Sequence, residues 1–492
     1  MADASAEHIV FLTGHLAEAR LRDVLQGLGQ TPFTWEVANV GVKVAALMTG
    51  AIVQRRLKTP VQADRVIFPG RAGIDPDEMQ AHFGVRFVRG PEELADLPRF
   101  LGRKGGPPDL SKHDLRIFAE IVTAIDLSPD AIVERARWLA ADGADIIDVG
   151  CKPGRHFVHL EDQIRALKQA GFKVSVDSGD PEELRRGALA GADFLLSLNE
   201  DTLDVVDGTA AVPVLLSKPH GDLDSLVRAA RKADAKGIDY MLDPVLDPIN
   251  FGFTDSLMRY VRIREMLPKA EIMMGTGNLT ELTDADTSGI TATLVGICTE
   301  LRIRNVLIVH VSPHTRRTVA EHDVARRMMF AARAHAELPR NYTSALLHVH
   351  DRWPYAQSSE DIAGLASEIR DSNFRIAVAE DGIHVFNGAL HQVSDTAFPF
   401  FPHLRVEQDG AHGFYLGAEL MKAEIAYALG KRYTQDEPLD WGCAVRPGAA
   451  TDRTRLADAG HTLKSKQERE ERKRASDTAP DASPPTGQDD IP

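Results

Sequence analysis

The feature that most constrains the fold is a series of eight apolar, β-prone segments in the middle of this 492-residue chain. The segments occupy 116–125, 144–150, 173–178, 193–199, 212–218, 239–244, 271–278 and 306–312. Each is followed by a stretch with helical spacing, and helix-start signals such as Ser128-Pro129 and Asp180-Pro181 support that interpretation. Eight strand-and-helix units predict an α/β protein whose centre is a (β/α)₈ TIM barrel over residues 113–335.

The barrel is flanked by two further regions. Residues 1–112 alternate expected strands (8–14, 33–40, 65–70 and 83–91) with helices, which predicts an N-terminal α/β domain built on a parallel sheet. Gly14 and Gly70 end two of these strands and could face a ligand. However, the region has no GxGxxG or Walker pattern, so tight turns are the stronger interpretation.

The region after the barrel predicts a small C-terminal α/β domain. A linker near 336–340 precedes residues 341–445, which contain SALLHVHD, FRIAVAEDGIHVFNG and the amphipathic stretch YLGAELMKAEIAYALGK. Residues 446–492 carry too little apolar surface to offset the entropy of ordering, so they are expected to be a disordered tail.

Composition excludes several classes of protein. The net charge of −15 argues against a general nucleic-acid binder, because phosphate neutralisation needs a basic surface. No apolar run approaches the roughly 20 residues that span a bilayer, and the N-terminus lacks a signal-peptide pattern. The three cysteines are far apart, which excludes a disulfide scaffold. We therefore expect a cytoplasmic protein that binds neither membranes nor nucleic acid.

Polar side chains follow the expected barrel strands, at the end where active sites of such barrels lie. They include Glu120, Asp126, Asp148, Lys152, Asp177, Asn199, Lys218, His220, Asp243, Asp247, Thr276, Asn278, His310 and His314. Carboxylates crowded at one place repel each other, so this set indicates a ligand rich in hydrogen-bond donors, or a metal.

Five motifs in this segment, in order, give it a family resemblance. They are GADIIDVG (143–150), VSVDS (174–178), SLNE (197–200), LDPVLDPINFGF (242–253) and VLIVHV (306–311). On these motifs the segment resembles the pterin-binding family, which contains dihydropteroate synthases and methyltetrahydrofolate:corrinoid methyltransferases. The whole chain also resembles a long, three-part dihydropteroate synthase-like form found in archaea and in methanopterin-using bacteria.

The resemblance implies a set of pterin-binding residues. It implies that Asp177, Asn199 and Asp243 surround the pterin, whose N–H donors suit carboxylate acceptors and whose carbonyl suits an amide donor. Asp247 rivals Asp243, because the fourth motif contains two Asp-Pro pairs. Asn278, in MGTGNLTEL (274–282), resembles an Asn that the methyltransferase branch places on the pterin.

Synthase chemistry would require further groups. A diphosphate leaves the pterin methyl carbon and an aromatic amine attacks it, so cations or Mg²⁺ must neutralise the leaving group. The residues implied for the diphosphate and amine are Lys152, Arg155, Lys218, His310 and Arg316, with Arg317 as an alternative to Arg316. Lys218 could equally be a surface ion-pair residue. Glu120, or Thr123 in its place, would be the metal ligand.

The leading interpretation is a dihydropteroate synthase-like transferase. It would condense a (dihydropterin-6-yl)methyl diphosphate with an arylamine in folate or tetrahydromethanopterin biosynthesis, and so serve one-carbon metabolism. The seventh segment lacks the Ser-Arg-Lys of the synthases, which keeps three alternatives open. These are a methyltetrahydropterin-dependent methyltransferase, a non-catalytic pterin-binding scaffold, and a barrel that binds another heterocycle. The resemblance also allows a homodimer.

Overall fold

The computed structural model describes residues 6–92, 94–102, 108–407 and 409–446. These residues form two compact units. The first extends to Gln357 and also includes Trp441–Val445, while the second comprises Ser358–Asp440 and Arg446. The expected tail, 446–492, lies outside the described residues apart from Arg446. The domain boundary at residue 112 stays a prediction.

The first unit begins with a parallel sheet. Its strands are β1 (Glu7–Thr13), β2 (Phe33–Asn39), β3 (Arg65–Phe68) and β4 (Arg86–Arg89), and its helices are α1 (Glu18–Gly27), α2 (Gly50–Arg56), α3 (Pro76–Phe83) and α4 (Leu97–Leu101). The strand order is β2-β1-β3-β4. Val10 and Phe68 pack into one apolar cluster, whereas Ile9 and Phe11 pack into another. Both faces of the sheet are therefore covered, which explains why its strands are apolar runs rather than alternating patterns.

Eight parallel strands follow and close into a barrel, as the sequence predicts. The strands are β5 (Arg116–Ile121), β6 (Ile146–Gly150), β7 (Lys173–Asp177), β8 (Phe194–Leu198), β9 (Val212–Leu216), β10 (Met241–Asp243), β11 (Glu271–Gly275) and β12 (Asn305–Ile308). The helices are α5 (Pro129–Ala141), α6 (Leu160–Gln169), α7 (Pro181–Ala190), α8 (Leu223–Lys236), α9 (Phe253–Met266), α10 (Gly277–Thr280), α11 (Thr287–Glu300) and α12 (Thr318–His335). Pairing of β12 with β5, from Asn305↔Arg116 to Ile308↔Ala119, closes the circle.

One connection differs from the expected pattern. Between β8 and β9 the chain forms only a 3₁₀ turn at Leu203–Val206, where an α-helix was expected. The interval is too short for a helix of average length, about 11–12 residues, together with the loops at its two ends. Leu203 and Val206 are buried and cover this side of the barrel in place of a helix.

Apolar side chains fill the barrel interior below the carboxyl ends of its strands. Phe118, Phe194, Met241 and Met273 belong to one buried cluster, and the rings of Phe118 and Phe194 meet edge to face with centroids 5.1 Å apart. A filled interior makes the barrel a packed core rather than a pore. Polar chemistry is thereby confined to the carboxyl ends of the strands.

The second unit contains an antiparallel sheet. Its helices are α13 (Ser359–Glu368), α14 (Phe401–Leu404) and α15 (Gly410–Leu429), and its strands are β13 (Arg375–Ala379), β14 (Gly382–Phe386) and β15 (His391–Ser394), in the order β13-β14-β15. The segment SALLHVHD, 344–351, was expected to belong here, but it forms no strand and lies in the first unit. The carbonyl of its Ala345 accepts a hydrogen bond from the amide of Cys443 (2.8 Å) instead of joining a sheet.

Two further observations concern membrane-spanning helices and the cysteines. Within the described ranges, no helix combines the length and the apolar character needed to cross a membrane. Cys151, Cys298 and Cys443 form no disulfide bond.

Candidate functional site

A cavity of about 190 Å³ lies at the carboxyl end of the barrel. Its polar lining consists of Glu120 on β5, Asp177 at the end of β7, Ser197 on β8, Asp243 at the end of β10, and Asn278 on α10. The rest of the lining is apolar or glycine and comprises Leu196, Val214, Leu216, Val245, Met273, Gly275, Gly277, Leu307 and Val309. Carboxyl groups and one amide thus face a mainly apolar space.

Three carboxyl groups on neighbouring strands form the acidic side of this site. They belong to Glu120 on β5, Asp148 on β6 and Asp177 on β7. The register places Glu120 beside Asp148, and Gly150 beside Asp177. A Cβ atom at Gly150 would collide with Oε1 of Glu120, so glycine makes room for that side chain. Asp148 is fully buried, and neither of its carboxyl oxygens meets a hydrogen-bond partner of suitable geometry among the described residues.

Burial controls the protonation of this cluster. Desolvation, reinforced by the charge of Asp177, raises the pKa of Glu120 to about 7. Desolvation also raises the pKa of Asp148 well above its usual value, with further contributions from Asp177 and Glu120. The pKa of Asp177 is likewise raised by burial, although a hydrogen bond from Ser197 opposes the shift. Carboxyl groups this close titrate as a coupled set, so the cluster carries fewer charges at neutral pH than its three acids would in water.

Asp177 is held by Ser197, whose hydroxyl donates to Oδ1 at 2.7 Å. Ser197 has a positive φ of 71°, and the pairing of β8 with β9 shifts register between Leu195 and Leu198. This irregularity explains why the consecutive residues Leu196 and Ser197 both line the cavity. A non-glycine residue in the left-handed region is strained, and such strain is common at binding sites.

Asn199, which the resemblance placed beside the pterin, makes hydrogen bonds within its own loop. It is not among the residues that line the cavity. Its side-chain oxygen accepts from the amide of Asp201 (2.9 Å), and its own backbone amide donates to the hydroxyl of Thr202 (3.0 Å). Asn199 therefore shapes the loop after β8, and Ser197 takes the cavity position on that strand.

Asp243 and its rival Asp247 have different positions and different contacts. Oδ1 of Asp243 accepts from the hydroxyl of Tyr260 and from the amide of Val245, both at 2.8 Å. Burial raises the pKa of Asp243 to about 6, and these two hydrogen bonds limit the rise. Asp247 is outside the cavity lining and pairs with Arg259 (2.7 Å) and with His220 (3.0 Å). The structure thus places Asp243, and not its rival, in the cavity.

Asn278 lines the cavity, and the pterin contact that the resemblance implied for it stays a prediction. Its Nδ2 donates to the carbonyl of Leu246 at 2.8 Å. This bond fixes the amide of Asn278 beside the loop that follows Asp243. The side-chain oxygen of the same amide is a hydrogen-bond acceptor.

The cations expected near the substrate are outside the cavity lining. Lys152 and Arg155 both pair with Asp126, at 2.9 and 3.0 Å. Lys218 pairs with Asp201 at 2.8 Å, and both side chains are well exposed. These three residues are therefore already engaged in ion pairs in loops after the strands, and the surface alternative describes the position of Lys218.

His310 and the arginines after β12 also depart from the expectation. Nε2 of His310 lies 2.7 Å from Nη2 of Arg135, and an arginine can only donate, so this nitrogen accepts and the ring is neutral. Burial, with a further contribution from Arg135, lowers the pKa of His310, which argues against its expected role as a cation. Arg316 is exposed, while Arg317 is buried and pairs with Asp142 at 2.7 Å.

Metal binding was expected at Glu120. Throughout the described part of the chain, no group of three or more His, Cys, Asp or Glu side chains is arranged to hold a metal ion. Mg²⁺, however, commonly keeps several waters and needs only one or two carboxylates together with substrate phosphates. Glu120 and Asp177 in the cavity lining match that requirement, so the role of Glu120 stays a prediction.

Sequence reasoning missed two residues that shape the site. Ser197 was not singled out, because the family resemblance pointed to Asn199, and an irregular strand cannot be detected from apolar periodicity. Tyr260 is fully buried on α9 and bonds Asp243 from outside the cavity lining. A tyrosine on the apolar face of an amphipathic helix was the available signal, because a buried hydroxyl needs a partner.

Comparison of sequences shows similarity to a family model and to an archaeal protein. Residues 7–92 match a family model described as a family of unknown function, DUF6513. The chain is 23% identical over 525 residues to the uncharacterized protein MJ0107 of Methanocaldococcus jannaschii, covering 87% of this chain and 98% of that protein. Similarity thus extends well beyond the N-terminal sheet.

Comparison of structures gives dihydropteroate synthases. A Yersinia pestis dihydropteroate synthase with a pterine-sulfa conjugate is 18% identical and has a TM-score of 0.36, over 46% of this chain and 95% of that chain. The Thermus thermophilus dihydropteroate synthase in complex with 6HMPPP is 21% identical with a TM-score of 0.35, again over 46% and 95%.

Proposed function

We propose that the barrel binds a pterin and acts as a dihydropteroate synthase-like transferase. The observation that supports this most directly is one cavity lined by the half-buried carboxyl groups of Asp177 and Asp243 and by the amide of Asn278. A pterin presents several N–H donors on one edge of a flat ring. Carboxylates accept such donors in pairs, and the apolar side chains of the lining suit the faces of the ring.

The raised pKa values also favour a ligand that supplies N–H donors. A carboxyl group is expensive to ionise in a buried site without a partner, and N–H donors from a ligand remove that cost. Binding should therefore favour the ionised form of Asp243, whose pKa is about 6 in the free protein. We expect affinity for a neutral pterin to fall as the pH drops through that value.

The reaction would replace a C–O bond by a C–N bond at the pterin methylene. Diphosphate leaves with the electron pair of the C–O bond, the amine nitrogen attacks the carbon, and the nitrogen loses a proton to solvent or a base. None of the described residues lining the cavity is basic, so charge neutralisation would fall to Mg²⁺ carried by the diphosphate. Glu120 would hold that ion through one carboxylate.

We further propose that the amine substrate carries a phosphate group. Lys152 and Arg155 share one carboxylate, Asp126, in the loops after β5 and β6. An incoming phosphate could replace Asp126 as their partner, because exposed ion pairs contribute little. This favours a ribosylated, phosphorylated arylamine of the methanopterin type over plain 4-aminobenzoate.

A second candidate is a methyltransferase that uses a methylated tetrahydropterin. It is favoured by Asn278 in the cavity and by a lining that, among the described residues, contains no cation for a diphosphate. A methyl group moving to another acceptor needs no such cation. The two candidates differ in ligand, so binding can separate them.

The test is calorimetric titration of the full chain with 6-hydroxymethyl-7,8-dihydropterin diphosphate and Mg²⁺, repeated with Asp177→Asn. We expect binding that weakens at least about tenfold in the variant, since charged hydrogen bonds contribute about 1.5–3 kcal/mol each. The matched control is Asp162→Asn, an exposed aspartate outside the site, which should bind normally.

The outcomes distinguish the candidates. Binding followed by condensation with the ribosylated amine, and less well with 4-aminobenzoate, supports the synthase. Binding only of a methylated tetrahydropterin supports the methyltransferase. If neither ligand binds, or if Asp177→Asn binds like the wild type, the pterin proposal is wrong.

A further inference from the structure

The N-terminal sheet has a cavity of its own, of about 170 Å³. Thr13 ends β1, and Pro69 and Gly90 directly follow β3 and β4, so the lining lies at the carboxyl ends of three strands. Much of the remaining wall is apolar and includes Phe11, Leu21, Ile67, Phe68, Leu94 and Leu97. None of its lining residues belongs to the barrel cavity.

Strand order marks this place as a natural binding crevice. β1 and β3 are neighbours, yet the chain continues from β1 to β2 on one side and from β3 to β4 on the other. The connections therefore diverge after β1 and β3 and leave a gap at their carboxyl ends. In open parallel sheets, ligands bind outside the carboxyl ends of the strands at such a reversal of strand order.

The dimensions of the cavity limit the ligand. An apolar cavity of about 150 Å³ is known to hold a benzene ring, so the space here suits a single six-membered ring. Nucleotide phosphates commonly bind at a glycine-rich loop that leads into the N-terminus of a helix. At Gly70 the space beside the glycine is already taken, because an added Cβ would lie 2.7 Å from the amide nitrogen of Glu92.

The charged side chains of the lining favour an anion. Of the described residues that line the cavity, the charged ones are Arg20, Arg71 and Glu92, which leaves an excess of one positive charge. Nε of Arg71 is 3.4 Å from Oε2 of Glu92, with both side chains close to half exposed. Such an exposed pair is weak, so a ligand carboxylate or phosphate can replace Glu92 as the partner of Arg71.

We propose that this cavity binds a small aromatic anion. One six-membered ring occupies the apolar space, and its carboxylate or phosphate lies at Arg20 and Arg71. The site would give the region matched by a family of unknown function a ligand-binding role. It does not depend on pterin binding in the barrel.

The experiment uses ligand-observed fluorine NMR on the full chain with 4-fluorobenzoate and 4-fluorophenyl phosphate. For a ligand of about ten heavy atoms we expect a Kd of about 1 mM or tighter. Two variants test the site: Arg20→Gln/Arg71→Gln removes the positive charges, and Ala46→Phe fills the cavity from its wall. Arg55→Gln, an exposed arginine outside the lining, is the matched control for lost charge.

We expect at least one anion to bind, with affinity about fivefold or more weaker in each site variant and unchanged in Arg55→Gln. Binding that persists in Asp177→Asn, and in a protein that fails to bind pterin, separates this site from the barrel. The proposal is overturned if neither anion binds, if both site variants bind like the wild type, or if neutral 4-fluorobenzamide binds as well as the anions.

Discussion

The barrel cavity and the N-terminal cavity obey the same rule of topology but carry opposite charge. Each lies at the carboxyl ends of parallel strands. The barrel cavity is lined by the acids Glu120, Asp177 and Asp243, whereas two arginines and one glutamate line the N-terminal one. Topology therefore decides where a ligand can bind, and the side chains at the strand ends decide whether that ligand is a hydrogen-bond donor or an anion.

The largest expected effect concerns the choice of Asp243. Asp243→Asn should weaken pterin binding about 100-fold, because an amide cannot replace a carboxylate that accepts two donors. Asp247→Asn should leave the affinity unchanged, since Asp247 pairs with Arg259 outside the cavity lining. Calorimetric titration of both variants measures the difference. Equal losses would show that the acidic character of the barrel cavity has been assigned to the wrong residue.

The second prediction uses the pH dependence of folding stability. Burial raises the pKa of Glu120 from 4.5 to about 7, so the folded state holds its proton more tightly than the unfolded chain does. Stability from this group is present below pH 4.5 and is lost as pH rises toward 7. Glu120→Gln should remove that loss and gain up to about 3 kcal/mol at pH 8 relative to its effect at pH 4.

Urea unfolding at both pH values measures this difference. Exposed Glu134 provides the control, because Glu134→Gln removes the same kind of carboxyl group outside the cavity. If the stability of Glu120→Gln changes between pH 4 and pH 8 by as much as the stability of the wild type does, the raised pKa of Glu120 in the acidic cluster is wrong.

The third prediction concerns Tyr260, which donates to Asp243 and holds down its pKa. Tyr260→Phe should raise that pKa above 6, by about one unit for a hydrogen bond of about 1.5 kcal/mol. Since the ionised form accepts the pterin donors, affinity should fall several-fold at pH 6 and little at pH 8. A pH profile of pterin affinity checks this, and an equal loss at both pH values would instead indicate a packing defect.

The smallest effect is expected at the N-terminal cavity. Glu92→Gln removes the carboxylate that competes with an anionic ligand for Arg71. Affinity for 4-fluorophenyl phosphate should rise about two- to fivefold, the range for an exposed ion pair. Pterin binding in the barrel should not change. Weaker binding of the phosphate would show that Glu92 contributes to the site rather than competing.

The two regions also show how much of the fold a local sequence pattern can predict. Apolar periodicity predicted the parallel strands of the sheet and all eight of the barrel, because a strand buried on both faces is a continuous apolar run. It also predicted a helix after β8 where only the 3₁₀ turn Leu203–Val206 exists. The structure brings Asp177, Asp243, Asn278 and Glu120 into one cavity, since residues at the ends of parallel strands meet at one edge. Their roles in binding a pterin or a metal stay predictions.

What the sequence determined by itself is the order of the elements and the acids at the strand ends, because both depend on residues near each other in the chain. Only the tertiary structure decided which of those residues face the cavity and which protonation state each of them has. An irregular strand brings Ser197 to Asp177 in place of Asn199. Arg259 engages Asp247 and leaves Asp243 to Tyr260, while Arg135 holds His310 neutral. These outcomes depend on burial and on partners distant in sequence, which no local pattern contains.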